Sequence, residues 1–209
     1  MTSRRTLILT LGCALLLGVL MTTANITTAR PFMSPPDSPP PTPVPGSIVG
    51  TVTRQGTPAN PNPGGGTWAC VAVTANGATT YGPAYTDATG LFGIENLDVY
   101  TYTLIASYPG YLTADKSEVV VDGQASTFPV GTAHLLGGDV NGDNAVNILD
   151  IATMAAKFDQ SGFPVRSNSI GCADADEASD INDDGSVNII DLAIGASNWN
   201  RVGPTPWGP

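Results

Sequence analysis

Two stretches near the C-terminal end carry oxygen-bearing side chains at a spacing suited to wrapping one hard cation. The first reads Asp139-Val-Asn141-Gly-Asp143-Asn-Ala145-Val-Asn147-Ile-Leu-Asp150, and the second Asp180-Ile-Asn182-Asp-Asp184-Gly-Ser186-Val-Asn188-Ile-Ile-Asp191. In both, Asp or Asn stands at positions 1, 3, 5, 9 and 12 of a twelve-residue loop, the spacing of a calcium loop. Asp139, Asp143 and Asp150 supply three carboxylates to one ion, Asn141 and Asn147 add neutral oxygen or a water bridge, and Ala145 offers its backbone carbonyl at position 7. Asp180, Asp184 and Asp191, with Asn182, Asn188 and the carbonyl of Ser186, repeat the set for a second ion. All-oxygen ligation suits Ca2+; a transition metal would want His or Cys. Position 6 requires a sharp turn, which Gly185 meets in the second copy and Asn144, tolerant of left-handed geometry, in the first.

These loops need elements to hold them. Aligned at an offset of 41, the copies also match outside the loops: Ile151 with Leu192, Ala152 with Ala193, Ala155 with Ala196, Phe158 with Trp199. The spacing predicts an amphipathic helix after each loop, with the two apolar stripes buried against one another. Gly137-Gly138 argues against a helix entering the first loop, so only half of a helix–loop–helix hand is expected. Residues 137–203 hold 11 of the 18 acidic residues and 3 of the 8 basic ones, so most of the net charge of −10 sits here. Cation binding would neutralise those clustered carboxylates and stabilise a short module. The same acidity argues against a nucleic-acid partner.

Two loop–helix repeats with Asp at position 12, at the end of an exported chain, resemble a type I-like dockerin over residues 137–203. The resemblance implies Ca2+-dependent docking onto a cohesin-like protein module, within cell-surface or polysaccharide-degrading (cellulosome-type) assemblies. It also implies that positions 10 and 11 of each repeat touch the partner. Here these are Ile148-Leu149 and Ile189-Ile190, apolar in both copies rather than hydroxyl-bearing. The segment between the repeats, residues 161–179, is long.

The N-terminal part reads differently. Arg4 and Arg5 precede an apolar run, Leu7 to Met21, too short for a comfortable membrane span and followed by small residues at Ala24 and Ala29. Residues 1–29 are therefore read as a secretory signal peptide, with no membrane span in the mature chain. Residues 30–46 are a Pro-rich spacer. From 47 to 135 short β-branched and aromatic runs alternate with Gly, Pro, Asn and Asp: Ile48–Thr53, Trp68–Thr74, Tyr102–Ala106, Glu118–Val121 and Thr127–Leu135. Asp87 and Gly90 suit a tight hairpin turn, after which Phe92 and Ile94 share one face. With Gly50 and Pro109-Gly110-Tyr111, this resembles the carboxypeptidase regulatory-like family, which implies a transthyretin-like β-sandwich.

The expected architecture is multi-domain: an antiparallel β-sandwich (47–135), then a small all-α duplicated calcium-loop–helix module (137–203), then a non-helical tail (204–209) whose Trp207 can pack back. Cys70 and Cys172 fall in different domains and are read as separate small apolar residues in preference to a bridge, although export permits one. No enzyme activity is expected: His134 is the only histidine, and no acid–base partner surrounds it. Trp68, Tyr81, Tyr85, Tyr100, Tyr102, Tyr108 and Tyr111 offer faces on which a sugar could stack, although aromatic residues in strands are more often packing residues. The expected function is thus docking by an exported, non-catalytic protein. The alternatives are a carbohydrate-binding accessory protein and a calcium-stabilised surface protein without a cohesin partner.

Overall fold

Alternation of β-branched with small residues makes the first strand, β1 (Gly46–Arg54), where Ile48 and Val52 are fully buried and Val49, Thr51 and Thr53 face outward. The computed structural model describes residues 43–57, 68–164, 172 and 177–208. The expected signal peptide (1–29) and the expected Pro-rich spacer up to residue 42 lie outside the described residues.

After β1 come β2 (Ala72–Asn76), β3 (Thr80–Tyr85), β4 (Leu91–Leu97), β5 (Tyr100–Ser107), β6 (Gly110–Tyr111), β7 (Ala114–Val121), β8 (Thr127–Leu135) and β9 (Gly137–Asp139). Two helices, α1 (Ile148–Ala156) and α2 (Ile189–Ser197), and a last strand, β10 (Thr205–Pro206), complete the order. One sheet runs β4-β1-β8, a second β10-β7-β5-β2-β3, and β6 pairs with β9. Between the two larger sheets lie Ile48, Val52, Val71, Val73, Leu97, Leu104, Val121 and Leu135, all with no exposed surface. Asp87 accepts from the N–H groups of Thr89 and Leu91 through Oδ1, and Gly90 takes φ +83°. This tight turn leads from one sheet to the other, because β3 and β4 belong to different sheets. Phe92 and Ile94 both point into the core.

Three expectations are corrected. The sandwich is mixed, because β8 runs parallel to β1 and β10 parallel to β7. About eighty residues separate the paired positions of β1 and β8, so no hairpin imposes antiparallel pairing on them. The C-terminal repeats form no separate all-α module. Residues 41–209 make one compact unit, and the repeat region contributes β9 and β10 as well as two nine-residue helices. Helices that short cannot enclose a core by themselves. Met154 and Ile181 from the repeats instead join the buried cluster of the sandwich through Tyr111.

The third correction concerns the cysteines. Cys70 and Cys172 are disulfide-bonded, with Cα atoms 5.1 Å apart across 102 residues of sequence. Once sandwich and repeats share a core, their assignment to different domains no longer keeps them apart.

The tail closes the structure a second time. Thr205 N–H donates to Thr113 O, Trp207 N–H to Asp115 O and Gly208 N–H to Thr132 O, so the tail bridges both sheets. The buried Trp207 ring packs edge-on against Phe92, centroids 5.8 Å apart. Two outcomes follow for urea unfolding of the chain. Trp207→Ala lowers stability by about 3–5 kcal/mol, and Cys70→Ala with Cys172→Ala by about 2–5 kcal/mol.

Candidate metal loops and helix faces

Each loop is closed by its position-12 carboxylate. Asp150 Oδ1 accepts from Val140 and Asn141 N–H at 3.0 and 3.1 Å, and its Oδ2 accepts from Asn147 N–H at 2.9 Å. Asp191 does the same in the second copy, from Asn182 N–H at 3.1 Å and Asn188 N–H at 2.8 Å. At the other end of each loop, Asp139 accepts from Gly142 and Asn144, and Asp180 from Asp184 and Gly185. Asn147 and Asn188 cap α1 and α2, and with Asp150 and Asp191 they form reciprocal capping boxes. The position-12 carboxylate therefore closes the loop and starts the helix.

It also sets which face of the helix is buried. Asp150 and Asp191 are fully buried, so the residues one turn on, Met154 and Gly195, face inward too. This corrects the expected stripe. Ala152, Ala155 and Phe158 on the first repeat, and Ala193, Ala196 and Trp199 on the second, are exposed; Ile151 and Leu192 are half-buried. The helices meet where Gly195 leaves room for Met154, whose Cε lies 2.4 Å from where a Gly195 Cβ would stand.

The repeats also pin one another. Val146 N–H donates to Arg201 O and Asn200 N–H to Val146 O, while Val187 N–H donates to Gln160 O and Asp159 N–H to Val187 O. The residue after each position-7 carbonyl (Ala145, Ser186) is thus held by the segment beyond the other repeat's helix.

Electrostatics favour a cation in both loops. Asp139 and Asp180 are almost buried, and Asp150 and Asp191 fully so, whereas Asp143 and Asp184 are exposed. Burial pushes the Asp139 carboxyl up, with Asp150 and Asp143 adding repulsion. Burial, then Asp191 and Asp184, push Asp180 up to about 7, and burial with Asp184 raises Asp191. Among the described residues, no lysine or arginine pairs with the carboxylates at positions 1, 5 and 12. Among them, too, no three His, Cys, Asp or Glu side chains converge closely enough to hold a metal by themselves. The donor set is nonetheless that of a hard cation: three carboxylates per loop, two of them desolvated, with Asn141, Asn147, the Ala145 carbonyl, Asn182, Asn188 and the Ser186 carbonyl completing it. The residues fit Ca2+.

The residues at positions 10 and 11 occupy the first turn of each helix and are exposed. Ile148 is 63% exposed, Leu149 61%, Ile189 67% and Ile190 52%.

The sandwich holds the loops from below, which pattern reading missed because the contacts join residues about 30 to 140 positions apart. Arg54, at the end of β1, is buried; it donates to Asp183 Oδ2 at 3.1 Å and lies 3.9 Å over the Tyr108 ring. The buried Tyr111 hydroxyl donates to the carbonyls of Gln55 (2.9 Å) and Ile181. Asn198 Nδ2 reaches Gln55 Oε1 and the Gly137 carbonyl. Tyr102, Tyr108 and Tyr111 are thus packing residues; Trp68 and Tyr81 are half-buried, and Tyr85 and Tyr100 exposed. His134 Nδ1 lies 2.8 Å from the Thr53 hydroxyl on the outer face.

A family model described as the dockerin type I domain matches residues 137–195. No curated protein sequence matches the chain. Among solved structures, the fold resembles chains in two crystal structures of a type II cohesin–X-dockerin complex from Acetivibrio cellulolyticus. One is an N-terminal interface mutant (TM-score 0.56, 24% identity) and the other a C-terminal interface mutant (0.55, 20%). Each match covers 75% of this chain and 97% of the other. The similarity reaches beyond the repeats into the β-structure that precedes them.

Tyr111→Phe removes the hydroxyl that serves two buried carbonyls. It should lower unfolding free energy by about 1–3 kcal/mol, measured by urea denaturation.

Proposed function

We propose that this chain is an exported, non-catalytic docking protein whose residues 137–203 bind a cohesin-type module in a Ca2+-dependent manner. The carrying observation is the pair of exposed apolar first turns, Ile148-Leu149 and Ile189-Ile190, presented equivalently by two repeats. Four large aliphatic side chains that a soluble protein exposes in this way mark a surface for burial against a partner. The dockerin family match over the same residues, and the cohesin complexes in which the fold neighbours occur, support this choice of partner.

Two Ca2+ ions would be held by the donor sets from Asp139 to Asp150 and from Asp180 to Asp191. Their chemistry is charge neutralisation, fixing the carboxylates in one arrangement. The chain's own residues do the positioning. Asp150 and Asp191 close the capping boxes begun by Asn147 and Asn188, and the pair of apolar side chains lies between cap and carboxylate in each helix.

The sandwich, read as carboxypeptidase regulatory-like on its Asp87 turn and its Phe92 and Ile94 core positions, is the base on which the repeats sit. Export is supported by the leader pattern and by the Cys70–Cys172 bond, which suits an oxidising compartment.

The test is binding of the full exported chain to immobilised type I and type II cohesins, with Ca2+ and with EDTA. The expected result is capture by at least one cohesin only with Ca2+. Combining Ile148→Asp, Leu149→Asp, Ile189→Asp and Ile190→Asp should weaken capture by about 100-fold or more at unchanged Tm. Calcium-independent capture, or capture untouched by the four substitutions, would overturn the reading.

A further inference from the structure

The two loops solve the same backbone problem in opposite ways. In both, positions 4 and 6 take left-handed backbone: Gly142 (φ +75°) and Asn144 (φ +63°) in the first, Asp183 (φ +57°) and Gly185 (φ +87°) in the second. Glycine is the unstrained residue at all four positions. Each loop nonetheless uses glycine once and Asn or Asp once, at exchanged positions. Space does not explain the choice, since a Cβ on Gly142 would meet nothing within 4 Å.

Contacts explain it. Asn144 Oδ1 accepts from Thr113 N–H at 3.0 Å and from the Thr113 hydroxyl at 3.1 Å. Thr113 lies between β6 and β7, and its carbonyl receives Thr205 N–H of the tail strand. Asp183 accepts from Arg54, at the end of β1, whose side chain is 1% exposed. In each loop the residue that departs from glycine is the one that grips the sandwich, one at Thr113 just before β7 and the other at Arg54 at the end of β1.

We infer that Asn144 and Asp183, which are not metal ligands, are positioning residues that couple calcium occupancy of each loop to the order of the β-sandwich. The inference rests on the calcium reading above. Asn144 stands between Asp143 and Ala145, at positions 5 and 7, and Asp183 between Asn182 and Asp184, at positions 3 and 5. A shift of either gripping side chain therefore moves a donor on both sides of it. By linkage, an ion that fixes those donors fixes the grip, and a firm grip raises affinity for the ion by the same factor. The interior of the sandwich then responds to calcium although no strand residue in it is a ligand, apart from Asp139 at the end of β9.

The experiment compares the full exported chain with Asn144→Gly, Asp183→Gly and Asp183→Asn, by calcium calorimetry and by hydrogen exchange with and without Ca2+. Glycine keeps the left-handed backbone and removes the grip. In the wild type, Ca2+ should slow exchange in β1 and β7 as well as in the loops. Asn144→Gly and Asp183→Gly should each weaken calcium binding by about tenfold and abolish the calcium-dependent protection of β7 and β1, respectively. Asp183→Asn, which keeps an acceptor for Arg54, should fall between. If both glycine variants bind Ca2+ as tightly as the wild type and keep the protection, the residues are turn formers only and the inference fails. Should Asp183→Gly not fold because Arg54 loses its partner, Asn144→Gly decides the matter, since it strands no charge. A wild type that takes up no Ca2+ would overturn the calcium reading itself, and this inference with it. Uptake with unchanged exchange in β1 and β7 would overturn the coupling alone.

Discussion

The fully buried carboxylates of Asp150 and Asp191 are the constraint on which the rest of the repeat region depends. Each accepts N–H groups from the start of its loop and from the cap of its helix, so one side chain spans the loop and joins it to the element that follows. A carboxylate that must remain buried fixes helix phase. The residue four positions on turns inward with it, and the pair immediately before it turns outward. The exposure of Ile148, Leu149, Ile189 and Ile190 is therefore a consequence of where an acid is buried. This exposed hydrophobic surface is positioned by a polar interaction.

Nine-residue helices on such loops have too little apolar area to offset the entropy of ordering them. The sandwich supplies the missing surface, and it does so with polar contacts as much as with packing. Arg54 lies against the Tyr108 ring and bonds Asp183; Tyr111 and Asn198 serve backbone carbonyls that would otherwise be buried without a donor. Contacts of this kind are costly to break and have little tolerance for alternative geometry. They hold the repeats in one arrangement on the sheet edge. The Cys70–Cys172 bond and the Trp207 tail return the chain to the sandwich at two further points, one between the repeats and one after them.

Local regularities were legible in the sequence. Strand β8 was read from Thr127 to Leu135 with its observed limits, and a helix follows each repeat as read, although it starts at Ile148 and Ile189, inside the twelve-residue pattern and not after it. The inward pair Phe92 and Ile94 followed from period-two spacing. What escaped was set by distant contacts. Hydrophobic periodicity placed Ala152, Ala155 and Phe158 in the helix interface, because it has no means of weighing a buried aspartate against a stripe of alanines. Composition suggested two modules, because nothing local reveals that Arg54 and Asp183, 129 residues apart, share one buried contact. Strand β3, with Gly82-Pro83 at its centre, lacks the alternation that announces a strand, and is held in place by β2.

The same contact surface that steadies the second loop also makes it the more demanding of the two. Burial contributes most to the upward push on Asp180 and Asp191. Arg54 bonds Asp183, which stands between Asn182 and Asp184 of the proposed donor set without belonging to it. Had the arginine faced Asp180 instead, an internal ion pair would satisfy the loop and a cation would have to compete with a fixed guanidinium. Directing it one step aside ties the loop to the sandwich without placing the guanidinium on Asp180. The fold thus separates two roles that a single salt bridge would confuse: one acid attaches the loop, and the carboxylates at positions 1, 5 and 12 pair with no lysine or arginine among the described residues.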